Sequence, residues 1–175
     1  MTEKSLGDPA GVRPWSTGIL TLSDKGARGE REDLSGRTIR DLLDAGLFSV
    51  EAYDVIPDER DRISEVLVEW ADRKRLALIL TTGGTGVSPR DVTPEATRAV
   101  IEREVPGMAE AMRWASLQKT PHAMISRAVA GIRGRCLIVN LPGSPRAVRE
   151  NLEVILPALA HAIEKIHGDP SECGV

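Results

Sequence analysis

The run LALILTT (76–82) constrains this chain more than any other stretch. It is almost unbroken in its apolarity and has no polar face to offer to water. Strands of that kind are buried on both sides, the habit of parallel sheets covered by helices. The next residues read GGTGVSPRDVTPEAT, and Gly83, Gly84 and Gly86 fall within four positions. A buried strand therefore opens into a loop with unusual backbone freedom. That loop then runs into Asp91 and an apparent helix start.

The rest of the chain alternates in the same way. WSTGILTL (15–22) reads as the first strand, with a polar loop over 23–36 behind it. RTIRDLLDAG carries Ile39, Leu42 and Leu43 at helical spacing and meets a stop at Gly46. FSVEAYDVI reads as a second strand. Beyond Pro57, the positions of Ile63, Val66, Leu67, Trp70 and Ala71 predict a one-sided helix over 59–73. Thr93 has the look of an N-cap, with Pro94 at the first helical position and Glu95 in the first turn. A further helix starts at Pro106 and carries Met108, Ala111, Met112 and Ala115. AVAGIRGRCLIVNLPG predicts a strand, a tight turn at Arg133-Gly134, and a strand ending at Asn140 or Leu141. A closing helix runs through Val148, Leu152, Ile155 and Leu156, and Pro157 should break or kink it before 158–167. The expectation is a single domain over 15–167, a three-layer α/β/α sandwich with a mainly parallel sheet. Residues 1–14 are expected to form a disordered tail and 168–175 a second tail.

Composition narrows the function. A net charge of −3, with basic residues interspersed among acids, argues against a nucleic-acid surface. No stretch approaches the roughly 20 apolar residues of a membrane span. The opening MTEKSLGDPAGVRP lacks the apolar core of a signal peptide. Cys136 and Cys173 argue against a disulfide scaffold and fit a reducing cytoplasm. His122, His161 and His167 have no ligand spacing, so no zinc site is expected.

Open parallel sheets bind ligands outside the carboxyl ends of their strands. That rule selects the loops 23–36, 57–60, 83–91 and 142–146. The glycine loop is not a P-loop, because it lacks the Lys, and Pro89 occupies the third glycine of a dinucleotide fingerprint. Its backbone amides suit an anion nest, or else the loop is a plain strand-to-helix turn. Asp91 is either a helix-cap or turn aspartate, or a carboxylate that holds Mg²⁺ or accepts the N–H edge of an aminopyrimidine-like ring. Asp58 is either a strand-end acid or the N-cap of the helix behind it. Ser23 and Asp24 are either turn residues or ligand contacts. In NLPGSPRAV, Asn140 offers a donor and an acceptor, while Gly143 and Ser144 precede a helix N-terminus that suits an anion. Ser144 and Pro145 equally suit N-cap and first position. Four polar strand ends at one sheet edge suggest a cleft for a phosphate-bearing small molecule. No Ser-His-Asp order, nucleophile elbow or Cys-His arrangement appears. Positioning plus Mg²⁺ is the pattern of phosphoryl or nucleotidyl transfer.

LTTGGTGVSPRDVTPEAT resembles the signature of the molybdenum-cofactor biosynthesis family, which includes MogA, MoaB and the G domains of gephyrin. The resemblance extends to LTLSDKGARGEREDLSG, VIPDE and AVAGIRGRCLIVNLPGSPRAVRENLEVILPAL, from Gly18 to Ile166. It implies a three-layer α/β fold, a homotrimer, and a partner protein for molybdenum insertion. MogA-like members transfer AMP from ATP to molybdopterin with Mg²⁺ and release pyrophosphate. Carried onto this chain, the motifs imply Asp58 and Asp91 as the catalytic and Mg²⁺-binding acids. They imply Thr82, Gly83, Gly84, Thr85 and Gly86 as pterin and phosphate contacts. Ser23 and Asp24 match the SD motif, and Asn140, Pro142, Gly143 and Ser144 match the N-[LM]-P-G motif. MoaB-like relatives share the signature, and some bind molybdopterin without adenylyltransferase activity. VAGIRG and GVSPRD look closer to the gephyrin-type and MogA-like proteins. Val129 stands where many relatives have Ala. A pterin-binding module without ATP chemistry and an inert trimeric subunit are the other readings.

Overall fold

The computed structural model describes residues 13–170. Most of both expected tails, and Cys173, lie outside the described residues. Six strands form one sheet in the order β2-β1-β3-β6-β5-β4. They are β1 (Trp15–Leu22), β2 (Phe48–Ile56), β3 (Leu78–Thr82), β4 (Arg103–Glu104), β5 (Ala130–Arg133) and β6 (Cys136–Leu141). β2, β1, β3 and β6 run parallel, while β5 and β4 turn antiparallel at one edge.

The apolar run does what its composition demands. Every residue of β3 is buried. Period-2 alternation divides β1, β3 and β6 between two cores. Ile19, Leu78, Leu80, Leu137 and Val139 face one core, and Leu20, Ile79 and Ile138 face the other. The first core is covered by α2 (Leu34–Leu42), α5 (Pro106–Leu117) and α6 (Pro145–Ile166), through Ile39, Met112, Leu152 and Leu159. The second is covered by α3 (Arg60–Val68) and α4 (Thr93–Arg98), through Ile63, Leu67 and Ala96. These are the three layers that the alternation of strands and helices predicts.

Several local readings need correction. The helix near 37–46 begins earlier, at Leu34, because Asp33 caps it by accepting from the Gly36 N–H at 2.9 Å. A four-residue helix, α1 (Asp24–Ala27), interrupts the loop before it. Thr93 is not a cap but the first residue of α4. Val92 holds the cap position without a side-chain bond, since the Thr93 hydroxyl donates elsewhere. α3 continues as a π-helical stretch, Glu69–Arg73, which brings Trp70 onto the sheet. Gly18 is required there: a Cβ on it would lie 2.5 Å from the Trp70 ring. A 3-10 turn, Pro121–Ile125, and the two-residue β4 carry no periodic signal in the sequence.

The helix expected to break or kink at Pro157 runs without a break for 22 residues. Pro157 is exposed, as is Glu153, whose carbonyl loses its i+4 donor, so water is available to that carbonyl. Apolar burial on both sides of the gap, by Leu152, Ile155, Leu159 and Ile163, holds the helix together. Replacing Pro157 with Ala should therefore raise stability by roughly 1–3 kcal/mol, through the restored hydrogen bond and helix propensity. Chemical denaturation of the two proteins measures it, and a less stable P157A protein would contradict this account of the helix.

Candidate active site

The order of the strands creates a switch point. The chain leaves β1 over one face of the sheet to reach β2, then crosses the other face to reach β3 on the opposite side of β1. A cleft must open between the carboxyl ends of β1 and β3. A cavity of about 490 Å³ sits there, lined by Leu22, Ser23, Asp58, Thr82, Gly83, Gly84, Asp91, Gly143 and Ser144, among others.

Two glycines make the cleft possible. Gly83 has φ +100°, and a Cβ on it would lie 2.3 Å from the Leu22 carbonyl oxygen. Gly84 has φ +63°, and a Cβ there would meet Thr93 Oγ1 at 2.3 Å and Asp58 Oδ1 at 3.0 Å. The Thr93 hydroxyl donates to the Gly83 carbonyl at 2.9 Å, and the Thr93 N–H donates to the Gly84 carbonyl at 3.2 Å. The helix start thus pins the loop from behind. The Gly83 N–H is used internally, donating to Leu141 at 3.3 Å. The next amides, from Gly84 to Gly86, have no acceptor among the described residues, which leaves them available to an anion.

The acids form a connected set. The Asp24 N–H donates to Asp58 Oδ2, and the Asp58 N–H donates to Asp24 Oδ1, both at 3.1 Å. Arg90 grips Asp24 from above, with Nη2 at 2.7 and 2.9 Å from its two oxygens. That hydrogen bond holds the Asp24 carboxyl below its ordinary pKa. Asp58 moves the other way: burial raises it, with the Asp24 and Asp91 charges adding to the effect. Asp58 is not the N-cap of α3; Glu59 holds that position, while the Asp58 side chain turns back toward β1. Asp91 sits both in a turn and on the cavity wall. Its Oδ2 accepts from the Ser88 N–H at 2.8 Å as a turn aspartate does, and the side chain also lines the cavity.

The profile of a family described as "Probable molybdopterin binding domain" matches residues 18–161. This chain belongs to that family. It is 43% identical to the molybdopterin adenylyltransferase of Helicobacter pylori strain J99 over 154 residues, covering 87% of this chain and 88% of that protein. It is 41% identical to the Escherichia coli K12 molybdopterin adenylyltransferase, covering 86% and 77%. The crystal structure of the molybdopterin biosynthesis enzyme MoaB from Thermus thermophilus is 58% identical and superposes with a TM-score of 0.84, covering 89% and 98%.

Not every residue named from the family's motifs reaches the cavity. Asn140 is fully buried. Its amide donates to Thr81 and Thr97 hydroxyls at 3.0 and 2.9 Å, and its carbonyl accepts from the Val129 N–H at 3.2 Å. It braces β6 against its neighbours and lies away from the ligand space. Thr85, Gly86 and Pro142 line a second cavity of about 250 Å³ across the glycine loop, with Met112, Ser126 and Asn151. Ser23 both lines the large cavity and caps α1, accepting from Gly26 at 3.1 Å. Asp24 stands beside the cavity as the partner of Arg90 and Asp58. Ser144 caps α6, accepting from Ala147 at 3.2 Å.

The sequence reading missed two parts of the site. Arg127 donates to the Gly86 and Asp91 carbonyls, each at 2.6 Å, and pairs with Glu95, so one guanidinium spans the glycine loop. The only signal was an arginine three residues ahead of a largely buried strand. Asp33 also lines the cavity and accepts from Thr21 at 2.7 Å and from the Tyr53 hydroxyl.

Two outcomes follow from these contacts. Asn140→Ala strands buried donors and acceptors and should cost about 2–3 kcal/mol of stability. A variant as stable as the parent would show that the brace carries no weight. Asp58, with its folded pKa above its unfolded one, favours folding when protonated. That contribution disappears as pH rises from the ordinary value of 3.8 through the raised one. Asp58→Asn should therefore melt at a higher temperature than the parent near pH 7, with the gap closing on acidification. A gap that widens in acid would reverse the assignment.

Proposed function

We propose that this protein is a molybdopterin adenylyltransferase of molybdenum cofactor biosynthesis. The observation that carries the reading is the likeness, over most of the chain, to relatives named for that activity, on a chain whose large cavity joins half-buried acids to the start of the glycine loop. The terminal phosphate of molybdopterin attacks the α-phosphorus of ATP. A new P–O bond forms, the bond to the β-phosphate oxygen breaks, and pyrophosphate leaves with the electron pair.

The protein's part is positioning and charge. The amides of the glycine loop and the N-terminus of α6 receive phosphate oxygens. The smaller cavity offers apolar surface from Met112, Ala128 and Pro142 beside the polar groups of Ser126 and Asn151, which suits a flat pterin ring. The donor set fits Mg²⁺. Asp58 is crowded by Asp24 and Asp91, and a divalent cation relieves that crowding. Among the described residues no group of three or more His, Cys, Asp or Glu could hold a metal by itself. That agrees with an ion bound through one or two carboxylates and completed by substrate phosphates. Asp58 and Asp91 would hold it, and it would supply neutralisation of the triphosphate charge.

Exposed Trp114, Leu117, Met124 and Ile125 give an apolar surface consistent with assembly into a homotrimer, and a molybdenum-inserting enzyme would take the product. No helix among the described residues is long and apolar enough to cross a membrane. We place the protein in the cytoplasm, in keeping with the unpaired Cys136 thiol. The likeness to MoaB keeps a second reading in view, a molybdopterin-binding protein without adenylyl transfer.

Mixing protein, molybdopterin, ATP and Mg²⁺ should release pyrophosphate and yield a product heavier by AMP in mass spectrometry. Pterin binding without either product would select the second reading. Asp58→Asn and Asp91→Asn should each lower kcat by about a hundredfold or more while the protein stays folded. Full turnover in both variants would remove the acids from the mechanism.

A further inference from the structure

The loop before α2 is dense in charge: Arg28, Glu30, Arg31, Glu32 and Asp33 fall within six residues. Four of these have hydrogen-bond or ion-pair partners close by. Arg28 makes a two-point pair with Glu30, at 2.8 and 3.0 Å. Glu32 pairs with Arg37. Asp33 is filled by Thr21, Gly36 and Tyr53. Arg31 has no such partner among the described residues, and it is the one basic side chain that lines the 490 Å³ cavity. The acids Glu32, Asp33, Asp58 and Asp91 line the same space. The loop is not adrift: the Ser35 hydroxyl donates to the Gly143 carbonyl at 2.9 Å, which ties the start of α2 to the entry of α6.

A guanidinium at the edge of an acid-rich cavity, yet committed to none of its acids, is placed for an incoming anion. Its planar fork can bridge two phosphate oxygens. We infer that Arg31 binds the polyphosphate of the nucleotide, gripping β- and γ-phosphate oxygens and carrying the charge of the pyrophosphate that leaves. The inference rests on the adenylyl-transfer reading. A phosphate oxygen could also come from the pterin's monoester. The polyphosphate is favoured because Arg31 lines the larger cavity and not the smaller one. It is also favoured because negative charge gathers on the pyrophosphate as the α–β bridge breaks.

The test titrates the full-length protein, Arg31→Ala and Arg31→Lys with ATP, AMP, inorganic tripolyphosphate and molybdopterin in the presence of Mg²⁺, and measures KM for ATP. Arg31→Ala should weaken ATP and tripolyphosphate about tenfold or more, and raise KM for ATP alike. AMP and molybdopterin should stay within about twofold, and Arg31→Lys should recover part of the loss. The melting temperature of Arg31→Ala should not move, because Arg31 is exposed. Unchanged ATP affinity overturns the inference, as does an equal loss for AMP, a loss confined to molybdopterin, or a parent protein that ignores tripolyphosphate. If the parent makes no adenylylated product while the affinity pattern appears, the activity reading fails and the polyphosphate site stands.

Discussion

The carboxyl ends of β1 and β3 approach so closely that no side chain fits between them. The Leu22 carbonyl occupies the space where a Cβ of residue 83 would stand. Everything at the site follows from that contact. Because Gly83 and Gly84 take positive φ, the chain turns back under Thr93 instead of continuing outward. Asp58 Oδ1 then lies beside the Gly84 backbone, and Gly83 and Gly84 line the cavity. The two buried strands supply the rigidity; the missing side chains supply the room.

Electrostatics at this edge pull in two directions, and the acids are sorted accordingly. Asp24 is satisfied by Arg90 and is an ordinary stabilised carboxylate. Asp58, braced to Asp24 through both backbones, is denied such a partner and is partly desolvated. A carboxylate kept hungry for positive charge is a poor stabiliser of the empty protein and a good receiver of a cation. Active sites concentrate such groups.

Much of this was legible in the chain itself, and the reason is locality. The limits of β1 and β2, and the Ser144-Pro145 start of α6, are set by neighbours in sequence, so period and cap chemistry found them. The strand-end rule then pointed to Asp58, Asp91 and the glycine loop. What escaped depends on contacts between distant residues. Asp33 meets Tyr53 across 20 positions, and Arg127 reaches the Gly86 carbonyl across 41. Asn140 looked like a ligand group because a buried brace and a binding amide carry the same atoms. Only its 0% exposure tells them apart. Pro157 does not break α6, since packing along the helix outweighs one lost backbone bond.

The sheet also ends in a way that matters outside the site. An open sheet presents unpaired amides and carbonyls along its outer strands, a template on which other chains can add. Here one margin is β4, two residues long, both charged and both exposed. The other, β2, is nine residues long but sets Glu51, Tyr53 and Asp54 in water. A protein with an almost wholly aliphatic centre thus keeps its flanks too short or too charged for strand addition.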